Sequence, residues 1–208
     1  ATDKANALTA AEGVEVSKQT AVNTAQGAKD TADGIATDKA NALTTAEGVR
    51  DGKQTAVNTA ETAKTNAESA AQQAGIDLQN AIGANGAAQA AVDNANTAIL
   101  EAQAVLANAV TPTEIDDANQ ALSDLGTVLT NAVAAKTAAQ AVLDSADTTK
   151  DTADQAVITA GSNLTTAQGE LSTAQGAVAT AQSEKTTADT NAGTAAGDLS
   201  TAQGELST

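Results

Sequence analysis

The sequence has no phenylalanine, tryptophan, tyrosine, methionine, cysteine or histidine, and one proline in 208 residues. Without aromatic rings or methionine, only scattered leucine, isoleucine and valine exceed alanine in bulk, so a thick globular centre cannot be filled to the density of protein interiors. Histidine and cysteine supply the commonest general bases, nucleophiles and soft metal ligands, so no enzyme, cofactor or metal site is expected. Disulfides are excluded. Basic residues are scarce too: ten Lys and Arg stand against 26 Asp and Glu, a net charge of −16. Nucleic-acid backbones and anionic membrane surfaces are therefore not expected partners. No apolar run approaches the ~18 residues of a membrane span, so no membrane insertion is expected, and the start lacks the pattern of a secretion signal. The first residue is Ala1, so the chain reads as a processed product or a slice of a longer one.

What the sequence does have is repetition. Residues 2–30 return at 37–65 with 22 of 29 positions identical, and residues 150–173 return at 185–208 with 15 of 24 identical. Both offsets are 35 residues. Thirty-five is five heptads, and seven is the period at which a supercoiled helix presents the same side to its partner.

The heptads can be followed residue by residue. From Ile115, alternating steps of three and four reach Ala118, Leu122, Leu125, Leu129 and Ala132, and continue to Leu206; Lys136, Lys150 and Lys185 are the exceptions to an aliphatic series. Before Pro112, Leu78, Ala81, Ala88, Val92, Ala95, Ile99, Ala102, Leu106 and Ala109 obey the same rule, with Asn85 the exception. Further back a neighbouring column, through Ala7, Val14, Ala21, Ala28, Ile35, Ala42, Val49 and Ala56, is expected to broaden the apolar stripe. Strands are a poor alternative, since alternation at period two is nowhere sustained and alanine is the best helix former. The fold class is all-α: a long antiparallel helical hairpin or coiled coil with an alanine-rich seam and 35-residue internal repeats.

Pro112 marks the turn. The predicted organisation is a first helical arm over 1–110, a turn at 111–114, and a second arm over 115–208, with Thr113 and Asp116 read as a variant capping pair. A soft spot is expected at 83–86, where glycines flank Ala84-Asn85. Folded as a hairpin, the arms should pair with residue numbers adding to about 223, the heptad phase fixing the facing positions. That register sets Lys18 opposite Glu205, Lys39 opposite Glu184, Lys53 opposite Glu170 and Lys185 opposite Asp38. Lysine at a seam lowers stability but fixes register, its stem covering apolar surface while its ammonium reaches the edge.

Other motifs weaken on inspection. GVRDGKQ, at 48–54, is one residue short of a phosphate-binding loop and has Gln54 where a magnesium-binding hydroxyl belongs. EIDDAN, at 114–119, offers several oxygens but is explained by the preference of a helix start for negative charge. More informative is a threonine column at sevens: Thr152, Thr159, Thr166, Thr173, Thr180, Thr187, Thr194 and Thr201. Gly169, Gly176, Gly197 and Gly204 lie on the face away from the seam, where each lets another backbone come close. The threonine column is the candidate lateral-contact stripe, and the glycines suit such packing.

One column of each seam is almost pure alanine, over 60–109 and 132–202. In this it resembles the Alacoil, an antiparallel helix pair in which small seam residues imply close backbone approach. The expected function is structural: an extended coiled-coil spacer, stalk or filament subunit, a homo-oligomer or filament, extracellular or on a cell surface. A second resemblance is to the helical alanine-rich antifreeze proteins of fish, carried by Thr9, Thr20 and Thr31 at eleven-residue spacing and by Thr24 and Ala28. It implies ice as a partner, although the series breaks at Ala42 and a 35-residue unit is no multiple of eleven.

Overall fold

The computed structural model describes residues 2–208, and two helices take up nearly all of them: α1, Thr2–Asn108, and α2, Pro112–Leu206. Among the described residues there is no strand. The chain is an all-α helical hairpin. Alanine favours the helix intrinsically, and many polar side chains add to it through neighbours four residues on, as in Gln26–Asp30, Gln89–Asp93 and Gln120–Asp124. Helix α1 runs unbroken through Gly83–Gly86, so two glycines within four residues do not end it.

The turn shows why the second helix starts earlier than the expected Ile115. Helix α2 begins at Pro112, the first helical position, where the proline's missing N–H would have no partner anyway. Thr111 is the capping residue. Its Oγ1 accepts from the Glu114 amide at 3.3 Å, and the Glu114 carboxylate accepts in return from the Thr111 amide at 2.9 Å and the Val110 amide at 3.1 Å. This reciprocal box is built on Thr111-Pro112-Thr113-Glu114, two residues before the Thr113 and Asp116 pair expected from sequence. At the other side of the turn the Ala109 amide bonds the Leu106 carbonyl at 3.2 Å, tightening the end of α1.

The chain divides into two compact units. The first comprises Ala1–Thr59 and Thr165–Thr208; the second comprises Ala60–Leu164. Within the first, the two helices are antiparallel, because Lys39 meets Glu184 while Lys53 meets Glu170. Within the second they are antiparallel as well, with Asn85 bonded to Gln140 and Lys150 lying against Gly75.

Burial follows the predicted spacing closely. On α2, each seam position from Ala118 to Leu206 is buried or half-buried, while Ile115, in the first turn after the cap, is exposed. On α1 the buried and half-buried series steps by four and three from Lys18 to Ala109 without a break. The most buried residues are chiefly alanines, among them Ala74, Ala81, Ala95 and Ala118 in the second unit and Ala167, Ala174 and Ala188 in the first. No large side chain is sealed from solvent among the described residues.

One expectation fails in the first unit. The neighbouring column does not widen the seam: Val14, Ile35 and Val49 remain 56%, 48% and 52% exposed. The seam keeps its phase instead through Lys18, Lys29, Lys39, Arg50 and Lys53, all half-buried. Methylene stems of basic residues cover the contact while their charged ends reach its edge.

Candidate functional site: charged seam positions and the outer threonine face

Six of the ten basic residues sort by seam column. Lys29, Lys64, Lys150 and Lys185 occupy one column, and each has an acid four residues further on, at the seam's edge. Each uses it: Lys29 Nζ reaches Asp33 at 2.5 Å, Lys185 reaches Asp189 at 2.5 Å, and Lys64 and Lys150 bind Glu68 and Asp154. Hydrogen bonding to Asp33, with that carboxylate's charge, holds the Lys29 amine above its ordinary pKa. Lys39 and Lys53 occupy the other column, where the residue four on is Leu43 or Val57 and offers no charge. These two reach across to the other helix, Lys39 Nζ to Glu184 Oε2 at 2.9 Å and Lys53 Nζ to Glu170 Oε2 at 2.8 Å.

The four register pairs therefore divide. Lys39 with Glu184, and Lys53 with Glu170, are brought together. Lys185 is not joined to Asp38, because Asp189 lies one turn away on its own helix and the short loop of side chain costs less ordering than a bridge between helices. Lys18 and Glu205 make no ion pair among the described residues; Glu205 falls in the last turn of α2, where the helix ends at Leu206. For these six lysines the signal was in the sequence, as the presence or absence of an acid at the fourth residue on. The bridges between helices are open to water, with the Lys39 and Lys53 side chains each 40% exposed. Exposed pairs of this kind add little to stability.

A second polar mark sits in the seam of the second unit. Asn85 Nδ2 donates to Gln140 Oε1 at 3.1 Å, while its own Oδ1 is buried without a hydrogen-bond partner. A single polar residue at such a position is a known way to fix pairing at a cost in stability.

The threonine column lies on the outer side of α2, and all its members from Thr152 to Thr201 are exposed. Their hydroxyls are largely turned inward: Thr152, Thr159, Thr173, Thr180, Thr187, Thr194 and Thr201 each donate to the carbonyl four residues back, at 2.9–3.1 Å. This common helix habit leaves the methyl group and the oxygen lone pairs as the outward chemistry. Beside them Gly169, Gly176, Gly197 and Gly204 have open space where a Cβ would stand. In α1, Thr9, Thr20, Thr24 and Thr31 are exposed and back-bonded in the same way.

The concavities along the pair are open surface grooves, such as those beside Lys39 and Glu184 or at Ala104–Ala109. No acidic cluster that could hold a metal ion occurs among the described residues, and no described helix is long and apolar enough to cross a membrane. No family model matches the chain, and comparison with curated proteins finds none similar to it.

Proposed function

We propose that this chain is a non-enzymatic structural protein, a coiled-coil spacer, stalk or filament subunit that self-associates through the outer faces of its helices, outside the cell or on its surface. The observation that carries the reading is the combination of helices of 107 and 95 residues with a seam that seals no large side chain. Apolar burial contributes roughly 25 cal/mol per Å², and a pair that buries mostly methyl groups gathers little of it per residue. Association between copies would supply what the pair lacks. The exposed Thr and Gly columns of α2 support the same reading, since methyl groups next to bare backbone suit close packing of a second helix.

The test replaces Gly169, Gly176, Gly197 and Gly204 together by alanine. Each substitution favours the helix by up to about 1 kcal/mol, so the isolated chain should melt higher, whereas sedimentation velocity should show association weakened. A wild-type chain that sediments as a folded monomer at all concentrations would remove the proposal. Ice binding is the second reading, supported by the exposed, back-bonded threonines at positions 9, 20 and 31. Thermal hysteresis and ice shaping at high protein concentration would favour it, and their absence would dispose of it.

A further inference from the structure

One flank of the second unit is apolar and uncovered. Its course starts from a groove in which the seam alanines Ala74 and Ala146 meet Asp77 on α1 and Val142 and Thr149 on α2. Stepping by sevens from Asp77 toward the turn gives Ala84, Ala91, Ala98 and Val105. Stepping back from Thr149 gives Val142, Ala135, Val128 and Ala121. The two rows share one side, because each heptad returns the same face of a helix and advances both helices equally. Ala98 is half-buried and the others are exposed, Val105, Val128 and Val142 at 62%, 52% and 58%. The opposite flank is polar: Lys136, Gln140 and Asp144 line its groove, and Asn85 bonds Gln140 there.

Charge decides what this flank can receive. Neither row carries an ionisable group between Asp77 and Thr149. In the columns just outside them the acids are Glu101 on α1 and Asp117 and Asp124 on α2, all toward the turn, while the other end holds Ala87 and Ala138. The bond of Asn85 to Gln140 places Glu101 and Asp124 near one level, since each lies 16 residues from its bonded neighbour in the direction of the turn. At a net charge of −16, most surfaces of one copy repel those of another. A flank whose acids all stand at one end escapes this when its partner is turned end for end. It also continues an existing interface, because the seam's own alanines form part of its groove.

We infer that this flank packs on the same flank of a second copy of this chain, the two copies running in opposite directions to form a four-helix bundle over the second unit. The inference rests on the self-association proposed above and assigns it a surface other than the glycine and threonine columns. The two-fold axis falls near Asn94 on α1 and Asn131 on α2, where the flank is uncharged. Val105 then lies over Ala84 and Ala87 of the second copy, Val128 over its Ala135 and Ala138, and Val142 over its Ala121, so each larger group meets small ones. Glu101 comes to Ala87 of the second copy and stays about thirteen residues, or about 20 Å along the helices, from that copy's Glu101 and Asp124. Copies running the same way would set Glu101 level with Asp124 twice, and like charges placed against each other weaken an interface.

Sedimentation equilibrium of the full chain tests the contact. Ala91→Glu sets an acid near the axis in both copies and should weaken association by at least about tenfold, whereas Gln103→Glu, on the opposite flank, should change it by less than about threefold. Circular dichroism should be unchanged in both, since both positions are exposed. Ala87→Lys should tighten association a few-fold at low salt, because only in the opposite-running arrangement does it meet Glu101 of the second copy. The chain has no cysteine, so Asn94→Cys should cross-link to itself on mild oxidation and Asn80→Cys should not. A monomeric wild type overturns this contact together with the reading it rests on. Association that survives Ala91→Glu but is lost when the four glycines of α2 become alanine overturns this contact alone. Association lost with Ala91→Glu and kept by the glycine variant supports it and removes the glycine column. Cross-linking at position 80 rather than 94 would overturn it as well.

Discussion

The two compact units use one heptad for different ends. In the second unit the α1 side of the seam carries Leu78, Val92, Ile99 and Leu106, facing leucines such as Leu122, Leu125 and Leu129 on α2, and the cross-helix polar contact is Asn85 with Gln140. In the first unit the α1 side carries Lys18, Lys29, Lys39, Arg50 and Lys53, and ion pairs cross between the helices. The second unit carries more large apolar seam residues, although Lys64, Lys136 and Lys150 lie in its seam as well, and the first carries the ion pairs that cross between the helices. A seam of small methyl groups packs almost equally well in several registers, so a marker is needed where bulk does not choose. The second unit should accordingly resist opening more than the first, with slower amide exchange over residues 78–106 than over 22–57.

The largest expected effect comes from overfilling. Ala81 is 5% exposed, and the bond of Asn85 to Gln140 places it near Leu143, the half-buried seam residue of α2 at that level. Ala81→Leu should destabilise the chain by about 1–3 kcal/mol, the usual result of forcing extra methylenes into a filled contact. Ala174→Leu in the first unit should cost clearly less. Ala174 lies across from Arg50, whose guanidinium already sits at the surface on Asp51 and can move aside. Urea denaturation of both variants checks the contrast, and equal losses would mean that the two seams are packed alike.

Next comes Asn85. Its Oδ1 is buried without a partner, and an unmet buried acceptor costs roughly 1–3 kcal/mol. Asn85→Leu should therefore raise the melting temperature, even though it breaks the bond to Gln140. The same variant should loosen register, which pairs of spin labels across the second unit would report as a second distance population. A lower melting temperature would show that the Gln140 bond outweighs the orphaned oxygen.

These comparisons also show which parts of the molecule could be read in advance. The seam columns were legible because burial in a helix pair follows spacing alone, so counting threes and fours finds the covered face. The Ala7–Ala56 column was misjudged because apolar residues on an open flank look like core until the partner's position is known. Ion-pair partners were legible only in part. A cross-helix register proposes partners, but a lysine with an acid four residues on takes the nearer one, as Lys185 does with Asp189. The cap lies two residues before Thr113 and Asp116 because Pro112, which marks the turn, also belongs to the helix as its first position.

The cap gives a smaller effect with a defined pH dependence. Thr111→Ala removes the side chain that accepts from the Glu114 amide and should cost about 1 kcal/mol. Hydrogen bonds from the Thr111 amide, then its hydroxyl group, then the Val110 amide hold the Glu114 carboxyl below its ordinary pKa. Because the folded value is lowered, this contribution is present above the unfolded pKa and is lost as pH falls through the folded one. Amide exchange at Val110 and Thr111, corrected for its intrinsic pH dependence, should show protection near neutrality that disappears in acid. Glu114→Gln should lack that acid transition.

The smallest effect should be that of the bridges between helices. Lys39–Glu184 and Lys53–Glu170 are copies of one geometry, both near 40–50% exposed on each side, and exposed pairs of this kind contribute about 0.2–1 kcal/mol in double-mutant cycles. Cycles made with Lys39→Ala and Glu184→Ala, and with Lys53→Ala and Glu170→Ala, should return similar small couplings that shrink further in high salt. Their influence on pairing should be greater than on stability. Reversing Lys39 and Lys53 together to glutamate sets four acids against one another in the native register, while Asp33, Glu68, Asp154 and Asp189 still hold their own lysines. The first unit should then slip or open while the second keeps its slow exchange. If the reversed chain holds its register, the alanine spacing alone chooses the pairing and the lysines serve only to offset charge.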